Sequence, residues 1–231
     1  MKIIKYLSSL IITLVIISGI AFPIVEIPTH WYQYPIIPGL EDKFRNIFFH
    51  VPTAWVSTIA FLVSTYYSFK YLTSKNDLYD IKAESSASIG LLFSLLATIT
   101  GALWAKFNWG SFWNWDPRQV STVFLLIIYF AYFLLRSSIK NEISKNNISA
   151  VYNIIAGISS IFFTFILPRM LTGLHPGAKG GKDLGPILGG RISGNIMVIF
   201  FVSLLGFTLF YLWLLNLRAR TGILMKELKY D

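Results

Sequence analysis

Six blocks of apolar residues alternate with polar segments along the 231-residue chain. They cover approximately residues 5–25, 52–72, 86–105, 118–136, 148–168 and 192–216. Each block is close to the ~20 residues with which an α-helix crosses the ~30 Å hydrocarbon core of a bilayer. The pattern predicts an all-α, polytopic integral membrane protein, in which residues 1–231 form a single domain of six transmembrane helices.

The composition is that of a membrane protein and narrows the possible chemistry. Hydrophobic residues make up 55% of the chain and charged residues 13%, whereas a soluble domain uses more charge to cover its surface. The first apolar block follows Lys2 and Lys5, but it is longer than a signal-peptide core and lacks an A-x-A cleavage site, so we expect a retained helix. The chain has no cysteine, which excludes disulfides, thiolate metal sites, a cysteine nucleophile and c-type covalent haem attachment on this chain.

The distribution of Lys and Arg predicts the orientation of the helices. The segments on the same side as the N-terminus hold 12 of the 20 Lys and Arg residues, and the opposite segments hold 8. The positive-inside rule therefore places both termini in the cytoplasm. We assign the net charge of +9 to orientation and anionic lipid, not to nucleic acid. Three outer loops, at about 26–51, 106–117 and 169–191, contain nearly every unusual residue of the chain.

All three histidines lie in or beside the predicted outer loops. His50 stands in FFHVPTAW, directly before the second predicted helix, where Pro52 suits a first-turn position. His175 stands in TGLHPG, soon after the fifth helix. Imidazoles are common axial ligands of haem iron. Two histidines at one membrane face, between apolar walls, therefore indicate a haem site, whereas His30 is interpreted as an interfacial residue.

Between these two histidines lies the sequence WGSFWNWDPRQ, Trp109 to Gln119. Trp109, Trp113 and Trp115 would form an aromatic surface against which a flat ligand could stack. An aromatic belt at the membrane interface is the alternative, and it is our interpretation of the remaining outer aromatic residues. These are Trp31, Tyr32, Tyr34, Trp55 and Trp104.

The end of this sequence predicts how the next helix begins. Asp116 suits the N-cap, Pro117 the first turn, and Gln119 the partner position of a capping box. Asp116 would then fix the angle of the aromatic surface without ligating iron. Haem propionates need cations, and this face offers Lys106, Arg118, Arg169 and Arg191. For Arg118 a contact with lipid headgroups is the alternative.

The sequence WGSFWNWDPRQ resembles the WWD motif of the haem-handling proteins of cytochrome c maturation. With FFHVPTAW before the second helix, LHP before the sixth, and six helices in all, nearly the whole chain is similar in layout to the CcmC family. The resemblance implies that His50 and His175 are the axial ligands of haem b. It also implies that the WWD signature maps to Trp109, Gly110, Trp113, Trp115, Asp116 and Arg118.

The resemblance further implies a location and partners. A CcmC protein is a multi-pass protein of the bacterial cytoplasmic (inner) membrane that holds haem at the outer, periplasmic face. It presents this haem to the chaperone CcmE, within a complex that includes the ABC components CcmA and CcmB and the small protein CcmD. We expect binding and presentation of haem rather than an enzyme activity.

Two residues differ from the usual CcmC motif, and alternative functions therefore stay open. Phe112 stands where the family often has a second Trp, and Pro117 is closer to the WDP form of the larger synthase relatives CcsA and CcmF. The alternatives are a CcsA-like component of a cytochrome c synthase and a transporter subunit for haem or another small molecule. A transporter is disfavoured because no ionisable residue lies deep in a predicted span. An electron-transfer cytochrome b would carry paired histidines inside its helices, and this chain has none there.

Overall fold

The computed structural model describes residues 2–175 and 194–230. Its α-helices are α1 Lys2–Ala21, α2 Ile47–Ser74, α3 Asp77–Trp109, α4 Pro117–Ser138, α5 Glu142–Ile161, α6 Leu167–Met170 and α7 Gly194–Tyr230. A π-helical segment, Phe162–Ile166, joins α5 to α6. Within the described ranges six helical stretches are long and apolar enough to cross a membrane. This confirms the prediction of an all-α, polytopic membrane protein.

The helices extend beyond the predicted spans because polar residues continue them past the apolar blocks. The chain reverses between α2 and α3 at Lys75, which has a left-handed φ of 54°, and Asn76 caps α3 by accepting the Leu78 N–H at 2.9 Å. Helix α7 likewise runs on to Tyr230. Residues 70–85, which we predicted to connect two spans on the same side of the membrane as the N-terminus, are therefore almost entirely helical.

Ion pairs join the helices at the end of the bundle where α2 finishes and α3 begins. Arg136 of α4 forms two hydrogen bonds with the carboxylate of Asp80 of α3, one of them at 2.9 Å. Asp77 pairs with Lys226 of α7. Both carboxylates lie in the first turn of α3, where the helix dipole also favours negative charge.

Small residues let the helices approach closely in the centre of the bundle. A β-carbon at Gly157 of α5 would lie 1.8 Å from the Thr65 hydroxyl oxygen of α2. One turn away, buried Asn153 donates hydrogen bonds to Ser64 and Ser68 of α2 at 2.6 and 2.8 Å. Close backbone approach and interhelical hydrogen bonds are the usual stabilising contacts between helices in lipid.

The segment between α1 and α2 is folded rather than an open loop. Strand β1 (Ile24–Val25) pairs in parallel with β2 (Tyr34–Pro35), and a 3-10 helix (Glu41–Asn46) leads into α2. Tyr34, which we predicted to lie in an aromatic belt, is fully buried, and its hydroxyl donates to the Ser18 carbonyl at 3.1 Å. Arg45 donates to two carbonyls at the end of α1, those of Gly19 and Phe22, at 2.9 and 2.8 Å.

Candidate functional site

A single cavity brings both candidate ligands together at the histidine end of the bundle, defined as the end at which α3 finishes and α4 begins. Its empty volume is about 970 Å³, part of which opens to solvent. Apart from serines and threonines, the polar and aromatic lining residues are His50, His175, Trp104, Trp109, Trp113, Asp116, Arg118, Gln119 and Phe163.

His50 lies within the first turns of α2, not before the helix as predicted. The 3-10 helix runs directly into α2, which therefore begins at Ile47 and contains Pro52 in its interior. Pro52 has no N–H to donate to the Phe48 carbonyl four residues earlier. Ser203 of α7 donates to that carbonyl instead, at 2.6 Å. Our first-turn placement of Pro52 was wrong, and α7 compensates for the missing hydrogen bond.

The His50 imidazole packs against α3. Its Nδ1 atom is 3.1 Å from the Thr100 hydroxyl oxygen. A β-carbon at the next residue, Gly101, would lie 2.9 Å from His50 Cε1, so the ring rests on bare backbone there. Contacts at both Nδ1 and Cε1 leave the imidazole little freedom to rotate.

His175 belongs to a short segment, Leu171–His175, that follows α6 and packs against the start of α4. The Asp116 carboxylate accepts the backbone N–H groups of Leu174 and His175 at 2.7 and 3.2 Å. A β-carbon at Gly173 would lie 2.7 Å from the same carboxylate oxygen. The His175 ring lies 6.3 Å from that of Trp109, at an interplanar angle of 73°.

The WWD loop, residues 110–116, is held by its own side chains. Trp109 is the last residue of α3, and Gly110 ends the helix with a left-handed φ of 85°. Asp116 is the N-cap of α4 and accepts the Arg118 N–H at 2.9 Å, as predicted. Gln119 was expected to complete a capping box, but it accepts the Asn114 N–H and donates to the Phe112 carbonyl. It therefore braces the loop instead of capping the helix.

The structure separates the predicted tryptophans into two groups. Trp109 and Trp113 line the cavity. Trp115 does not: its side chain is 78% exposed, its φ is 55°, and it packs edge-on against Trp113 with ring centroids 5.6 Å apart. Gly110 also lies outside the lining. Trp104, which we assigned to the aromatic belt, is part of the cavity wall.

The sequence analysis did not predict the threonine-rich wall of this cavity. Thr58, Thr98 and Thr122 line the cavity, and each hydroxyl donates to the carbonyl four residues earlier, at 2.8 to 3.0 Å. Their polar atoms are satisfied, so the wall can accommodate an apolar ligand. The signal was present as small residues at helical spacing in α3, namely Ser94, Ala97, Thr98, Gly101 and Ala102.

The predicted cations occupy different positions. Arg118 lines the cavity, where its charge interacts with those of Arg169 and Asp116. Lys106 points away: it donates to the Gly110 carbonyl at 3.1 Å and lies over the Phe112 ring. Arg191, together with the outer-loop residues 176–193, falls outside the described residues. Among the described cations Arg118 is thus the one on the cavity wall.

Sequence comparison decides the family. The family model described as "Heme exporter protein C" matches residues 2–231. The chain belongs to the CcmC family. Two similar relatives, both named heme exporter protein C, come from Paracoccus denitrificans and Haemophilus influenzae. Each is 29% identical, with alignments covering 80% and 94% of this chain and 75% and 84% of the relatives.

A further CcmC-family relative is a putative cytochrome c biosynthesis ccmC-like mitochondrial protein of Marchantia polymorpha. It is 38% identical over 88 residues, which are 38% of this chain and 39% of that protein. Family membership confirms the resemblance drawn from the WWD loop and the two flanking histidine motifs.

Proposed function

We propose that the chain binds haem b in the cavity between His50 and His175 and presents it to a CcmE-like haem chaperone. Membership of the CcmC family gives it a role in haem handling for cytochrome c maturation. The observation that carries the finer proposal is that two histidines from distant parts of the chain line one tryptophan-walled cavity. Bis-imidazole ligation needs donors from separate segments, because the two axial ligands approach opposite faces of the macrocycle.

The residues present fit this cofactor. Trp104, Trp109 and Trp113 offer apolar aromatic surface, and the threonine-rich wall keeps its hydroxyls occupied. Arg118 offers a guanidinium to a propionate. When bound, the iron of the haem supplies the coordination chemistry. The chain's own residues hold the cofactor, exclude water from its apolar edges and fix its orientation.

The cavity lies at the same end of the bundle as the predicted outer loops. With both termini in the cytoplasm, this end would face the periplasm, where a membrane-anchored or soluble chaperone could receive haem. CcmA, CcmB and a CcmD-like protein would be the neighbouring subunits. Under this proposal the chain binds and presents haem, and the covalent chemistry takes place on the partner.

The proposal is tested by purifying the full-length protein and recording its haem content and absorption spectrum. His50→Ala and His175→Ala should each lower bound haem severalfold. His30→Ala is the matched control, because His30 lies outside the cavity lining and its ring stacks on Tyr32 at a centroid distance of 5.3 Å. Full haem content in both ligand variants, with normal transfer to the chaperone, would refute bis-histidine binding.

A further inference from the structure

Two groups of α3 lie beside the His50 imidazole, the hydroxyl of Thr100 and the backbone carbonyl of Ala97. The Thr100 hydroxyl oxygen lies 3.1 Å from His50 Nδ1. The same oxygen lies 2.8 Å from the Leu96 carbonyl and 3.2 Å from the Ala97 carbonyl. Both carbonyls can only accept hydrogen bonds, so the single hydroxyl hydrogen of Thr100 is directed to the backbone of its own helix.

This arrangement favours one nitrogen of His50 as the site of the proton. A hydroxyl that has donated its hydrogen can only accept from a third partner. With its hydrogen directed to these carbonyls, the Thr100 oxygen is placed to accept from His50 Nδ1, and in a neutral imidazole the other nitrogen, Nε2, then holds the free lone pair. A metal-bound histidine is oriented in this manner when its second nitrogen donates to a fixed acceptor.

We infer that Thr100 is a positioning residue that holds His50 in the Nδ1–H tautomer and reserves Nε2 for the haem iron. The inference rests on the proposed function of His50 as an axial ligand. Thr100 does not touch the iron. It acts through the imidazole, both by selecting the tautomer and by making the ring a stronger donor.

The surroundings of Thr100 make it a rigid acceptor. The side chain of Asn46 donates to the Thr100 carbonyl at 3.1 Å, which ties the start of α2 to this turn of α3. Gly101 leaves room for the imidazole, because any β-carbon there would collide with Cε1. Thr100 thus lies against Nδ1 of the ring, and the backbone at Gly101 lies against Cε1.

The test compares Thr100→Val, which keeps the shape of the side chain but removes the hydroxyl, with Thr100→Ser, which keeps the hydroxyl. Thr221→Val is the matched control, because the Thr221 hydroxyl also donates to the carbonyl four residues earlier, that of Leu217, and Thr221 lies outside the cavity lining. Haem affinity should fall by about tenfold or more in Thr100→Val, as for lost second-shell partners of metal-binding histidines. It should stay near wild type in Thr100→Ser and Thr221→Val. The midpoint potential of bound haem should rise in Thr100→Val, because the imidazole becomes a weaker donor.

A second measurement reads the tautomer without haem. Nitrogen-15 NMR of histidine-labelled apo-protein, in a full-length background carrying His30→Ala and His175→Ala, reports on His50 alone. We expect the Nδ1–H form, and its loss when Thr100→Val is added. An Nε2–H form in this background, or equal haem affinity in Thr100→Val and Thr221→Val, would overturn the inference. A wild-type protein that binds no haem would refute the proposed function, and the NMR result would then still decide the Thr100 hydrogen bond.

Discussion

The carboxylate of Asp116 accepts the backbone N–H groups of Leu174 and His175, at 2.7 and 3.2 Å, while its other oxygen caps α4. Asp116 is only 3% exposed, so these hydrogen bonds are shielded from water and gain strength from the negative charge of the acceptor. The aspartate of the WWD loop therefore links the tryptophan surface to the segment that carries one candidate axial ligand. Under the proposed function, this link positions His175.

We predict that Asp116→Ala weakens the attachment of His175 while His50 stays in place. Haem bound to the variant should gain five-coordinate, high-spin character, and haem content should fall. The absorption and EPR spectra of the purified protein measure this change. Asn141→Ala is the control, because Asn141 caps α5 at the opposite end of the bundle by accepting the Ser144 N–H at 2.9 Å. Loss of either helix cap should lower the free energy of unfolding by about 1 kcal/mol. An unchanged low-spin spectrum in Asp116→Ala would reduce Asp116 to a helix cap.

Gly173→Ala should reproduce the Asp116→Ala spectrum without removing the carboxylate. The new β-carbon would lie 2.7 Å from Asp116 Oδ2 and 2.9 Å from Pro117 Cδ. Since these neighbours include a proline ring at the start of a helix, the 171–175 segment is expected to move instead. The spin state of bound haem is again the measurement. Gly194→Ala is the control, because a β-carbon there meets no described atom within 4 Å. A wild-type spectrum in Gly173→Ala would show that moving the 171–175 segment does not disturb the binding of haem by His175.

Trp113 and Trp115 should differ in their effect on haem retention. Trp113 lines the cavity, whereas Trp115 is mostly exposed and outside it. The Trp113→Ala variant should therefore release haem faster to an excess of a haem-free haem-binding protein. The Trp115→Ala variant should release haem at the wild-type rate. Release rates followed by absorbance test this difference. Equal acceleration in both variants would mean that Trp115 also contacts the ligand.

The number of helices could be predicted from the sequence, but the distribution of roles within the site could not. Apolar blocks of helix-spanning length identify transmembrane segments, because lipid leaves the backbone few other ways to satisfy its hydrogen bonds. The roles of Trp113 and Trp115 depend on one left-handed backbone angle at Trp115, which residue spacing does not encode. Thr100 and Gly101 were missed because small residues inside an apolar block are also typical of ordinary helix packing.

Ser203 should stabilise the protein only because Pro52 is present. Ser203→Ala leaves the buried Phe48 carbonyl without its 2.6 Å donor, which should cost about 1–3 kcal/mol. Pro52→Ala supplies a backbone N–H four residues after Phe48, so the same serine substitution should cost much less in that background. A double-mutant cycle based on thermal or denaturant unfolding in detergent measures this coupling. Thr73→Ala is a suitable control, because the Thr73 hydroxyl donates only to exposed carbonyls of its own helix. Additive effects of Pro52→Ala and Ser203→Ala would show that α7 does not compensate for the proline.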